Sequence, residues 1–237
     1  MTDFVLVHGA WHGAWCWRHV LAPLRAAGHR AFAVSLSGVG ERAHQGPSGI
    51  TLDTHIQDVA AVIDAEELSA AVLVGHSYAG MVITGVADRM AQRADRPLAC
   101  LVYVDAVVPR PGETWSSTHD ADIQRQRRAT IARDGVLAPP DPVIFGLAGT
   151  ERDWVARRMT PHPGGVYDAV LDFDPRRVAS LRRVFIDCPS PALPTIAASR
   201  QRVRSEPGWE VAVIATGHDP MVSAPEPLAR RLLELAI

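Results

Sequence analysis

The stretch AAVLVGHSYAGM, residues 70–81, decides how this chain is read. An apolar run, Ala71–Val74, stops at Gly75-His76-Ser77-Tyr78-Ala79-Gly80, and an amphipathic segment, Tyr78–Gln92, follows. A serine flanked by small residues where a strand turns into a helix has two readings. It is a helix cap, or it is a nucleophile held at the tip of a sharp bend. The fifth position of this G-x-S-x-G pattern is Ala79 instead of glycine, and both residues are small enough for the bend. A serine there also sits at the positive end of the helix dipole, where a developing anion is favoured.

Outward from that point the chain alternates. Short, nearly continuous apolar runs recur at Phe4–Val7, Ala31–Leu36, Ala71–Val74, Cys100–Val104, Val184–Ile186 and Val211–Ala215. They read as strands buried on both faces. Between several of them lie helical patterns: Trp15–Ala27 closed by Gly28, Leu52–Ile63, Tyr78–Gln92, and Pro225–Leu235 at the end. The alternation predicts an α/β class with a mostly parallel central sheet and helices on both faces. It lapses between Val107 and Leu181, a stretch that carries Pro139, Pro140 and Pro142 along with Trp115, Phe145, Trp154 and Tyr167. A connection this long is uncommon in a compact domain and usually functional. It is read as a cap inserted over one end of the sheet, within one domain spanning 1–237.

Composition bounds the rest. The chain has 237 residues, 47% of them hydrophobic, and a formal net charge of −2. That is enough for one sizeable core, and it gives no electrostatic footprint for nucleic acid or an anionic membrane. The first strand-like run begins almost at the first residue, and no apolar run is long enough to span a bilayer, so the expectation is a cytoplasmic protein without a signal peptide. Cys16, Cys100 and Cys188 are odd in number and widely separated. They suggest buried thiols, not a disulfide frame or a zinc site.

Serine is a weak nucleophile and needs a base. Of ten histidines, His218 is the best placed, in a loop between the last apolar run and the last helix. Loops at the carboxyl ends of the strands converge in such sheets, so Ser77 and His218 are expected to meet. An oxyanion would need amides aimed at it. The expected donors are Tyr78, next to the serine, and Ala10, in the loop "HGAWHGAWCW" after the first strand, with Trp11 second. His8 and His12 could be read as metal ligands, but no carboxylate or cysteine cluster accompanies them. His12 is assigned instead to the pocket, as a hydrogen-bonding residue.

With "FVLVHGAWHGAWCW", "GHSYAG", "LVYVDAVVP" and "GHDPM" in this order and spacing, the chain resembles the α/β-hydrolase superfamily over nearly its whole length. Within it the chain is similar to the small-ester branch that holds plant methyl-ester esterases and hydroxynitrile lyases. It is closer to bacterial carboxylesterases, some of which hydrolyse carbamate or pesticide esters. Hydroxynitrile lyases carry threonine and lysine where this chain has Gly9 and Asp219, which argues against lyase chemistry. The superfamily usually takes its acid from the loop after the penultimate strand, here "VFIDCPSPALP". The aligned position falls near Ser190 or Pro191, and neither can serve. Asp105, at the end of the strand after the nucleophile strand, is favoured over Asp187, which lies early in that loop. The order Ser77, Asp105, His218 keeps the superfamily's Ser…acid…His sequence.

The expected enzyme is therefore a serine hydrolase of a small, fairly hydrophobic carboxylic ester or carbamate, acting through an acyl-enzyme and needing neither metal nor organic cofactor. Its partner is a small-molecule ester, with a homodimer left open. Trp11, His12, Trp115, Phe145, Trp154, Met159 and Met221 are candidates for the substrate wall. The "GVGERAHQ" loop is a candidate rim through Glu41 and His44, with a salt bridge from Glu41 to an arginine as the plainer alternative. Other chemistries fit the same scaffold: a lactonase, an acyltransferase, a tailoring enzyme of secondary metabolism, or a binding homologue with weak catalysis.

Overall fold

The computed structural model describes residues 1–236. The strands are β1 (Asp3–Val7), β2 (Arg30–Val34), β3 (Ala71–His76), β4 (Leu98–Val104), β5 (Val136–Leu137), β6 (His162–Pro163), β7 (Arg182–Asp187) and β8 (Trp209–Val213). The helices are α1 (Arg18–Ala26), α2 (Leu52–Ala65), α3 (Ala79–Ala91), α4 (Ala121–Asp134), α5 (Gly149–Ala156), α6 (Pro175–Ala179), α7 (Ala197–Ser205), α8 (Pro220–Ser223) and α9 (Pro225–Leu233). Six strands form one parallel sheet in the order β2-β1-β3-β4-β7-β8, and β5 pairs antiparallel with β6 apart from it. The fold is that of an α/β-hydrolase.

The central strands β1 and β3 are buried throughout, and β4 nearly so. Their Val and Leu side chains face helices on either side, which is why they read as unbroken apolar runs. The expectation fails at β8, an edge strand whose Glu210, Val211 and Val213 are exposed. The predicted helix at Trp15–Ala27 also divides: Ala14–Trp17 forms a tighter 3₁₀ turn, and α1 starts at Arg18. Gly28 closes it at φ +85°, a left-handed conformation suited to glycine.

Strand order fixes where a site can form. From β1 the chain moves outward to β2, then returns across β1 to β3 and onward to β8. Right-handed crossovers put α1 on one face and α2 and α3 on the other. In agreement, α1 packs on α9, whereas α3 packs on both α2 and α6. The reversal lies between β1 and β3, and the crevice beyond their carboxyl ends is the expected ligand position in an open α/β sheet.

Residues 107–181 hold α4, α5, α6 and the β5–β6 pair. They do not hang loosely. Thr160 N–H donates to Trp11 O (3.0 Å), and His218 N–H donates to Phe145 O (2.9 Å). The stretch therefore grips the loops after β1 and β8. No helix among the described residues is long and apolar enough to cross a membrane.

Candidate active site

Register brings the first residues together. Val7 pairs with Gly75, so two residues beyond this pair Gly9 falls beside Ser77. A Cβ on Gly9 would stand 2.8 Å from both Ser77 Cβ and His76 Nδ1. On the other side His76 pairs with Val104 and Val104 with Ile186. One step further lie Ser77, Asp105 and Asp187, side by side across three strands.

The turn at Ser77 is strained in the manner a nucleophile elbow requires. Ser77 has φ +54°, and it is the one residue from Ala71 to Gly80 that is not buried. The close approach around it falls on glycines. A Cβ on Gly75 would lie 2.9 Å from Ala79 O, and one on Gly80 would lie 1.8 Å from Val107 O. The relaxed fifth position, Ala79, is an ordinary buried helix residue. Trp11 (φ +65°) and Asp105 (φ +41°) are also left-handed, so three of six such non-glycine residues meet here.

His218 Nε2 lies 2.8 Å from Ser77 Oγ, and its Nδ1 lies 2.7 Å from Asp105 Oδ2. Asp105 is fully buried, and its other oxygen accepts from Arg200 Nη2 at 2.6 Å. Asp187 closes β7 and makes no hydrogen bond to His218 among the described residues. It accepts from Arg200 Nε at 2.6 Å and from Arg204. A carboxylate partner makes Nδ1 the protonated nitrogen of His218 and leaves Nε2 free to accept the Ser77 proton.

Among the described residues no acceptor takes the Ala10 or Tyr78 amide, while the Trp11 amide donates to His162 Nδ1 (3.3 Å). Trp11, Trp115 and Phe145 form a buried aromatic group. Trp115 lies 5.9 Å and Phe145 6.4 Å from the Trp11 ring, and Phe145 lies 5.6 Å from His218. The Tyr78 hydroxyl bonds His55 Nδ1 (3.0 Å), and His55 in turn donates from Nε2 to Ser37 O. Burial dominates four of the histidines. It lowers His8 to about 3 and His55 to about 4, and it depresses His76 and His162 well below the ordinary range, aided by neighbouring imidazoles.

The other candidate wall residues differ in their surroundings. Trp154 packs on Trp15 (5.1 Å) and near His19, not on the Ser77 group, and Met221 is fully buried in α8. Met159 is only partly buried and packs on the core. His12 is buried, with its nitrogens on Ala10 O and Asp219 Oδ2. Glu41 bonds the Ser35 hydroxyl instead of an arginine, and His44 is exposed against Glu41 O. His76, His218 and Asp219 bring potential metal-ligand atoms within 4.8 Å of one another. Both His218 nitrogens are already held by Ser77 and Asp105, and His76 Nε2 donates to His218 O at 2.8 Å. Sequence reasoning overlooked His162 and Arg200. Neither carries a local signal, since each acts on a residue more than ninety positions away.

Comparison with known proteins shows the family. The profile of the Alpha/beta hydrolase family matches residues 4–231. The carbendazim hydrolyzing esterase of Nocardioides sp. strain SG-4G is 40% identical over 99% of this chain and 100% of its own length. Methylesterase 7 of Arabidopsis thaliana is 28% identical over 98% of this chain and 95% of its own. Among solved structures, an extracellular alpha/beta-hydrolase from a Paenibacillus species superposes with a TM-score of 0.84. It is 20% identical, and the match covers 100% of this chain and 99% of that one.

Proposed function

The chain belongs to the alpha/beta hydrolase family and is a carboxylic-ester hydrolase, and from that premise we propose that Ser77, His218 and Asp105 are its catalytic triad. The observation that carries the reading is the unbroken line from Ser77 Oγ through both nitrogens of His218 to Asp105 Oδ2, at 2.8 and 2.7 Å. Ser77 Oγ attacks the ester carbonyl as His218 Nε2 takes its proton. The tetrahedral oxyanion is received by the Ala10 and Tyr78 amides, which have no other acceptor among the described residues. His218 returns the proton to the leaving oxygen, then activates water to release the acid from Ser77. Asp105 holds the imidazole in the required tautomer and stabilises its charged form.

For the substrate we propose a small aromatic ester or carbamate. Trp11, Trp115 and Phe145 supply an apolar wall beside Ser77, and the Nocardioides relative is named for hydrolysing carbendazim. Residues 107–181 serve as the cap, since Phe145 and Trp115 both come from it. The three free, buried cysteines favour a reducing, cytoplasmic setting.

The test is a panel of short nitrophenyl esters together with carbendazim, run on wild type and Ser77→Ala. Turnover is expected on the small aromatic substrates, with a pre-steady-state burst, and none with Ser77→Ala. Retained turnover in Ser77→Ala overturns the assignment of the nucleophile.

A further inference from the structure

Asp219 directly follows His218, yet its carboxylate turns inward and is fully buried. Oδ2 lies 3.1 Å from His12 Nε2, and Oδ1 lies 3.5 Å from His76 Nε2. The other nitrogen of His12, Nδ1, lies 2.8 Å from Ala10 O. Both atoms that face the His12 ring are therefore acceptors. A neutral imidazole offers one N–H, so with Asp219 ionised both contacts are hydrogen bonds only if His12 carries two. His12 and Asp219 are an imidazolium and a carboxylate, neutral as a pair.

The surroundings agree. Burial disfavours a charged His12, but the Asp219 charge and hydrogen bond outweigh it and raise its pKa. Burial likewise penalises the Asp219 carboxylate, and His12 outweighs it and lowers its pKa. The other ionisable groups nearby stay uncharged: burial depresses His8, His76 and His162, and it raises the Cys16 and Cys188 thiols. His218 is the remaining titratable neighbour.

Position gives the pair its meaning. His12 belongs to the loop after β1, and Asp219 to the loop after β8, with β3, β4 and β7 between those strands. The first loop supplies the Ala10 amide, the second supplies His218. The first is strained at Trp11, so it needs ties to hold its shape. We propose that His12 and Asp219 are positioning residues, a buried imidazolium–carboxylate clamp that keeps the Ala10 amide in register with His218. This rests on the assignment of Ser77 and His218 given above. Misplacing either group should be felt in the transition state more than in ground-state binding.

The experiment compares wild type with His12→Gln, Asp219→Asn and the double variant, with Ser77→Ala alongside. Each single change is expected to lower kcat about 10- to 100-fold with KM within about threefold, since a shift of an ångström costs about that much. The double variant should be no worse than the more damaged single, because both remove one shared interaction. Histidine ¹⁵N NMR of the wild type at about pH 8, above the ordinary imidazole range, should show one ring protonated on both nitrogens. That signal should vanish in Asp219→Asn. A folded Asp219→Asn with native melting and unchanged kcat overturns the clamp, and so does a wild-type spectrum with every imidazole neutral. Because the spectrum does not depend on turnover, it decides the matter even where a variant fails to fold. Activity surviving in Ser77→Ala would instead count against the nucleophile.

Discussion

Asp105 and His218 are 113 residues apart in the chain and 2.7 Å apart in space. Arg200 holds the far oxygen of Asp105 and, through Nε, also holds Asp187. One guanidinium thus separates two neighbouring carboxylates into different tasks. Asp105→Asn is expected to lower kcat by about 10⁴, because an amide no longer fixes the imidazole tautomer. Asp187→Asn should leave most activity and instead cost stability, about 3–5 kcal/mol for breaking a buried ion pair. Steady-state kinetics and thermal melting of the two variants check this. The reverse pattern would move the acid to Asp187.

Gly80→Ala is expected to be far more damaging than Ala79→Gly. A Cβ at residue 80 meets a backbone carbonyl, Val107 O, at 1.8 Å, and neither α3 nor the turn after β4 can yield. Ala79→Gly removes one methyl from a helix and should cost about 1 kcal/mol. Urea unfolding of both variants gives the comparison.

Arg127 should govern how firmly α4 sits. That helix buries none of its residues, yet Arg127 lies 5.6 to 5.7 Å above the rings of Trp11, Trp115 and Tyr167. Arg127→Ala is expected to speed amide hydrogen exchange across residues 121–134. It should also raise KM for aromatic esters several-fold, in line with about 0.5–2 kcal/mol for a cation over aromatic faces. Unchanged exchange would mean that α4 is held by other contacts.

Stability should fall in mild acid. His8 and His55 drop from the ordinary 6.5 to about 3 and about 4 on burial, so the folded state binds fewer protons than the unfolded chain. Their contribution is full above 6.5 and is lost as pH falls through that window. His12 runs the opposite way: its raised pKa stabilises the fold at lower pH and fades as pH climbs through the folded value. Melting temperature followed against pH should decline from neutrality toward about pH 4, and the decline should be shallower in His55→Gln.

Much of this was legible in the chain. The apolar run into Gly75-His76-Ser77 announced a strand, a bend and a helix, because each has a local cause in side-chain burial or small size. The loop carrying His218 was legible from its place after the last strand. Which carboxylate meets His218 was only half legible: Asp105 follows β4 and Asp187 closes β7, and what separates them is the register of the two strands and the fork of Arg200. Trp154 and Met221 look from the sequence like any other wall residues, and only packing sends one to Trp15 and the other into α8. The inward turn of Asp219 is invisible in sequence, since its partner His12 lies 207 residues away.

The left-handed backbone at Ser77 has a consequence for anyone who selects variants of this protein. Glycine accepts φ +54° without the Cβ penalty, so Ser77→Gly relieves strain in the same step that removes the proposed nucleophile. A screen that scores heat resistance alone would then reward dead enzyme at this position, and it has reason to do the same at Trp11 and Asp105. Evolving a sturdier hydrolase from this scaffold requires turnover to be read in every round, because here the route to a more relaxed chain passes through the chemistry.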